Sequence, residues 1–144
     1  MAYTFQVTID SAHPHELADW WADALGWEVE PSDEKFIRRM VEEGQATEAD
    51  TTTHHGVLVW KAGTGIRHPE GLQRAPRILF QFITEPKTVK NRVHLDVRTG
   101  EDDPRAVVER LIAKGARHLH EGNQGPSTWT TLADPEGNEL CVSH

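Results

Sequence analysis

His94 and Asp96 are separated by one apolar residue in the run Asn91-Arg92-Val93-His94-Leu95-Asp96-Val97. The alternation predicts a strand with Val93, Leu95 and Val97 on one face and His94 and Asp96 on the other. An imidazole beside a carboxylate suits acid–base catalysis, metal ligation or the polar floor of a binding cleft. The same spacing pairs Gln6 with Thr8, and Glu139 with Cys141. Gln81 falls opposite Ile78, Phe80 and Phe82 in the run from Arg77 to Phe82. Trp129 joins this polar set if Thr130 and Leu132 face a core, and like Trp60 it could then stack a planar ligand.

Other chemical residues read as surface. His54-His55 are adjacent, and neighbours on a strand point apart; His13 and His15 flank a proline at a helix start. Lys87, Lys90 and Arg92 suit a solvated connector. His94-x-Asp96 with His118, His120 or His144 has the composition of an iron facial triad, but the arginine and jelly-roll strands that go with one are not evident. No Ser-His-Asp set, glycine-rich phosphate loop or CxxC pair occurs, and Gly63-x-Gly65 lacks a strand-to-helix context.

The positioning elements follow from periodicity. Thr4 to Asp10 alternates as a strand with Phe5, Val7 and Ile9 inward. His13-Pro14 starts a helix that buries Leu17, Trp20, Trp21, Ala24 and Leu25 and stops at Gly26. Trp27 to Glu30 reads as a short strand, its tryptophan as core packing. Ser32 to Glu43 predicts an inserted helix with Phe36, Ile37, Met40 and Val41 as its stripe, and Ala46 to Asp50 one more turn before a loop. Gly56 to Trp60 reads as a strand, Lys61 to Pro76 as a loop, and Arg77 to Phe82 as a strand. After the His94 strand, Asp103-Pro104 caps a helix lined by Val107, Val108, Leu111 and Ile112 and ended at Gly115. Arg117 to His120, Thr128 to Leu132 and Glu139 to Val142 predict three strands, the last two separated by the turn Asp134-Pro135-Glu136-Gly137-Asn138.

Each half therefore reads strand, helix, three strands, with Gln6 matching His94, Pro14 matching Pro104 and Gly26 matching Gly115. The expected fold is α+β: two βαβββ modules forming a curved mixed sheet around a shared cleft, with helices on the outer face. A single domain is expected over residues 1–144, with module 1 at 3–83, module 2 at 91–143 and a connector at 84–90. Gln6, Thr8, Gln81, His94, Asp96, Glu139 and Cys141 would point into the cleft.

The 144 residues suit one domain, and the formal charge of −8 without a basic block argues against nucleic acid or an anionic membrane as partner. A lone Cys141 allows no internal disulfide. With no signal peptide at the start and no membrane span, a soluble cytoplasmic protein is expected.

The runs Ala22-Asp23-Ala24-Leu25-Gly26-Trp27, Glu85 to Val97 and Asp134 to Glu139 resemble the vicinal oxygen chelate superfamily, which includes glyoxalase I, bleomycin-resistance proteins and extradiol dioxygenases. The similarity is greatest to actinobacterial glyoxalase-like proteins. The resemblance implies a metal site with one ligand from the first and one from the last strand of each module: Gln6, Gln81, His94 and Cys141 here. Two glutamates are usual where Gln81 and Cys141 stand, and a neutral amide and a thiol are poor substitutes for them. Glu139 lies two residues from Cys141, roughly 6–7 Å along a strand, so it cannot simply replace the missing ligand. The expectation is a cleft that binds a small organic molecule, aromatic or apolar, at Gln6, Thr8, Gln81, His94, Asp96, Trp129, Glu139 and Cys141, with no intact metal site. The alternative is a lyase or isomerase of glyoxalase type that uses a divalent metal, with His94 and Glu139 as catalytic candidates. The resemblance also implies pairing into a homodimer.

Overall fold

The computed structural model describes all residues from Met1 to His144. The chain forms two compact units, Met1–Glu85 and Pro86–His144. In the first, the order is β1 (Val7–Ser11), α1 (Pro14–Leu25), β2 (Glu28–Val29), α2 (Glu34–Glu42), a 3-10 turn (Glu48–Asp50), β3 (Thr51–His54), β4 (Val57–Trp60), β5 (Gly63–Arg67) and β6 (Ile78–Phe82). In the second it is β7 (Leu95–Val97), α3 (Pro104–Ala113), β8 (Arg117–Gln124), β9 (Ser127–Ala133) and β10 (Glu139–Ser143).

Helix α1 begins and ends where its residue types dictate. Pro14 occupies the first turn, where its missing N–H is no loss. Gly26 takes a left-handed conformation at φ 68°, which lets the N–H groups of Gly26 and Trp27 donate back to Asp23 O at 3.3 Å and Ala22 O at 2.8 Å. Leu17, Ala18, Trp21 and Ala22 are buried, and so are Ile66, Ile78 and Phe80 on the sheet beside the helix. Burying a side chain the size of Phe80 contributes about 1.5–3 kcal/mol.

The first sheet has the order β1-β6-β5-β2, with β1 parallel to β6 and the other pairs antiparallel. Its third chain segment differs from expectation. The Gly56–Trp60 stretch does not enter this sheet: β4 pairs with β3 in a separate two-stranded hairpin, and residues 51–54, expected as loop, form its other arm. The sheet position is taken by β5, within the expected loop. Its Gly65 leaves the space filled by the Glu30–Arg77 ion pair, and a Cβ there would strike both side chains. Helix α2 is held to the hairpin by Ser32 Oγ donating to Leu58 O at 2.6 Å and Leu58 N donating to Glu34 Oε1 at 2.9 Å. Of its expected stripe Ile37 is buried, Met40 and Val41 are half-buried, and Phe36 is exposed under the Arg39 guanidinium. Phe5 precedes β1 and Phe82 ends β6; both are exposed.

The second sheet repeats the order, β7-β10-β9-β8, with β7 parallel to β10 and the rest antiparallel. Asp103 caps α3 by accepting from Arg105 N at 3.3 Å. Leu111 is its buried residue; Ile112 is exposed, because it points past the covered stripe. Strand β8 runs four residues beyond its expected end at His120, and the register shifts between His118 and His120. The turn after β9 is built on Asp134, buried, whose Oδ1 accepts from Glu136 N at 2.8 Å and Asn138 N at 3.0 Å.

Strand β7 is shorter than expected. Its partner β10 starts only at Glu139, so the ladder pairs just Leu95, Asp96 and Val97 with Leu140, Cys141 and Val142. The residues before it are held by the turn instead: Asn91 N donates to Glu139 Oε2 at 3.1 Å and Asn91 Nδ2 to Asn138 Oδ1 at 2.9 Å. Val93, expected inward, is exposed. No helix is long and apolar enough to cross a membrane.

Candidate functional site

In the second unit, alternation sorts β10 into two faces. Leu140 and Val142 are wholly buried, while Glu139, Cys141 and Ser143 face the other way, onto a cavity of about 320 Å³. Strand β9 does the same: Thr130 and Leu132 are buried, which turns Trp129 and Thr131 onto the cavity. Asp96, opposite Cys141 in the ladder, and His94, two residues earlier, complete one wall. His94, Asp96, Trp129, Glu139 and Cys141, five of the residues singled out in the sequence, thus line one space.

The polar groups there are linked. His94 Nδ1 is 3.0 Å from Asp96 Oδ1, and Cys141 Sγ is 3.3 Å from Thr131 Oγ1. Glu139 is held from two sides: Lys87 Nζ donates to Oε1 at 3.0 Å and Asn91 N to Oε2 at 3.1 Å. Burial pushes its pKa up, but the Lys87 hydrogen bond, backbone N–H donors including that of Asn91, and the Lys87 charge outweigh it and leave the pKa below the usual carboxylate value. The lowered pKa keeps Glu139 ionised at neutral pH and makes it a weaker proton acceptor than an unperturbed carboxylate.

Trp129 is the one large apolar side chain of the lining, and Gly122 fixes its place. Gly122 lies opposite Trp129 in the β8–β9 ladder, and a Cβ at 122 would collide with the indole ring. Lys90, His120, Gln124, Thr131 and Ser143 also line the cavity. Thr131 and Ser143 could have been found by extending the i, i+2 rule from Trp129 and Cys141. Gln124 could not, because the strand was expected to stop at His120.

Gln6, Thr8 and Gln81 belong to the first unit and are exposed there. Gln6 Oε1 accepts from Arg77 Nη1 at 3.3 Å, while Gln81 lies opposite Asp10. Since Val7 faces Ile78, Gln6 and Gln81 are offset by four residues along the sheet, roughly 13 Å. In the second unit the offset between His94 and Cys141 is two, because Cys141 faces Asp96. Gln6 and Gln81 are therefore not a chelating pair, and the donor set implied by the superfamily does not fit a divalent ion: two neutral amides, one imidazole and a buried thiol bonded to a hydroxyl. Trp60, the other aromatic candidate, sits on the β3–β4 hairpin.

Two sheets of the same unusual order, each with its first strand parallel to its last, define an α+β protein of duplicated βαβββ modules. Residues 6–143 match the glyoxalase-like domain family, and the chain belongs to it, within the vicinal oxygen chelate superfamily. A comparison with curated proteins by sequence gives no match. Solved structures with the same fold include the oxidase ChaP-H2, 14% identical, with a TM-score of 0.60 over 99% of this chain and 94% of that one. A glyoxalase-family protein from Bacillus cereus is 14% identical, TM-score 0.59, over 99% and 93% of the two chains. A glyoxalase/bleomycin resistance protein/dioxygenase family enzyme from Burkholderia phytofirmans is 15% identical, TM-score 0.60, over 96% and 94%.

Proposed function

We propose that the protein binds a small planar organic molecule in the cavity of its second unit, without a metal at the positions the superfamily uses. The observation that carries this reading is the Trp129 indole, seated over Gly122 as one wall of a cavity whose other lining is polar. An aromatic face plus a few fixed polar groups is the usual composition of a ligand pocket, and about 320 Å³ is at the small end of their range. The ligand is aromatic and carries hydrogen-bonding groups that meet His94, Asp96 and Thr131. Gln6, Thr8 and Gln81 take part in binding only in so far as the expected shared cleft brings them to it. Sequestration of a drug or metabolite, as in the bleomycin-resistance branch, is the function this supports. The same proposal has the chain act as one domain, in the cytoplasm and as a homodimer.

A panel of aromatic metabolites and natural products tests it by thermal denaturation. A ligand at 100 times its Kd should add about 2.7 kcal/mol of stability. Trp129→Ala should remove the shift. If no compound raises the midpoint, or if Trp129→Ala leaves the shift intact, the proposal fails.

A second reading, a metal-dependent lyase or isomerase, is favoured by one observation: His94, Asp96 and Cys141 bring possible ligand atoms within 4.8 Å of one another. It requires Cys141 to bind as a thiolate, the form of cysteine that ligates metals. A stoichiometric divalent ion that is lost on His94→Ala would replace the first reading with this one.

A further inference from the structure

The first unit gathers a second set of metal-type donors, none of which lines the cavity just described. His54 ends β3 and His55 opens the turn to β4. Adjacent residues on a strand would point apart, but His55 adopts φ 52° and Gly56 φ 77°, the two left-handed residues of a tight hairpin turn. That reversal brings both imidazoles to the same side, with ring centroids 4.0 Å apart. They converge on helix α1, where His54 Nε2 is 2.6 Å and His55 Nε2 2.7 Å from a single oxygen, Oδ2 of Asp19. One helical turn earlier, the buried His15 packs its ring 5.3 Å from that of His54, and its Nε2 bonds Trp60 O on β4 at 2.8 Å.

We propose that Asp19, His54 and His55 form a binding site for a divalent first-row transition metal such as zinc. Two imidazole nitrogens and a carboxylate oxygen are the donors such an ion prefers, and three protein ligands leave a coordination position open to water. With bonds of about 2.0–2.2 Å, ligands on a tetrahedral ion stand roughly 3.3–3.5 Å apart. The present spacing of 2.6–2.7 Å must therefore widen by less than an ångström. Asp19, 35% exposed and common to both contacts, can provide that movement together with His55, whose side chain is 75% exposed. The bound ion would tie the β3–β4 hairpin to α1, adding to the hydrogen bonds and the His15–His54 ring contact that connect them. The site shares no residue with His94, Asp96 and Cys141, so it stands or falls independently of the ligand cavity.

The test uses the full chain, free of any purification tag, stripped with chelator and titrated with zinc. One equivalent should bind at this site and raise the melting point. His55→Ala, an exposed position, and the isosteric Asp19→Asn should each weaken binding by more than the roughly 10–100-fold that loss of an outer-shell partner costs. His94→Ala should leave this equivalent in place. Binding should also weaken as pH falls, because protons compete with a metal for the same donor atoms. The inference is overturned if the stripped protein takes up no zinc at micromolar concentration. It is equally overturned if uptake survives both His55→Ala and Asp19→Asn, or is lost in His94→Ala alone.

Discussion

Two carboxylates face the cavity of the second unit, and they differ in what holds them. Asp96 is 60% exposed and bonded to His94, whereas Glu139 is 9% exposed and bonded to Lys87 and Asn91 N. Lys87→Met should therefore destabilise the protein by about 1–3 kcal/mol at pH 7, the cost of leaving a buried acceptor without its charged donor. Because the pKa of Glu139 is depressed by folding, its contribution is complete above the unfolded value, about 4.3. It is lost as pH falls through the depressed folded value. Urea midpoints of wild type and variant should thus converge in strong acid; a gap that persists there would mean the lysine acts through packing alone. At this scale the sequence was informative wherever alternation held: Glu139, Cys141, Asp96 and Trp129 all share the face their parity predicts. It misled at His55, whose positive φ breaks the rule that neighbours diverge, and at His15, which Pro14 suggested was exposed and which is buried. Neither a backbone angle nor a contact with Trp60 O is written in local composition.

Among the elements, those with a hydrophobic period or a cap were legible, and those without were not. Helix α1 lies between Pro14 and Gly26, and α3 between Asp103 and Gly115, as read. Strand β3, Thr51-Thr52-Thr53-His54, has no apolar alternation and no fully buried residue; the buried apolar residue of the hairpin, Val59, lies on β4. Strand β5 contains two glycines, a composition that signals a loop, yet Gly65 is required by the Glu30–Arg77 pair above it. A similar requirement governs β8. Gly122→Ala should displace the Trp129 indole, cost about 1–3 kcal/mol and abolish any ligand-induced stabilisation. Tryptophan fluorescence together with the ligand melting panel would check this; an unchanged ligand response would show that the indole is not a wall of the site.

For the whole molecule, the repeat was visible as matched helix starts and stops, while the strand order β1-β6-β5-β2 and its copy became visible only in three dimensions. Each unit has its own interior, so truncation at a buried position of the last strand should be costly in both. Phe80→Ala should lose about 3–5 kcal/mol and Leu140→Ala about 2–5 kcal/mol, read from denaturant midpoints. A loss below 1 kcal/mol at either would mean that strand is not a core element. The parallel pairing of first and last strands also carries a consequence for how the chain finds its fold. Val7 must meet Ile78 across 71 residues, whereas Leu95 meets Leu140 across 45. Loop-closure entropy grows only with the logarithm of length, so the longer excursion costs about 0.4 kcal/mol more. A helix and a hairpin between β2 and β5 are therefore nearly free in closure entropy. The first module can carry them, with the histidine pair they bring, while keeping the strand order of the second.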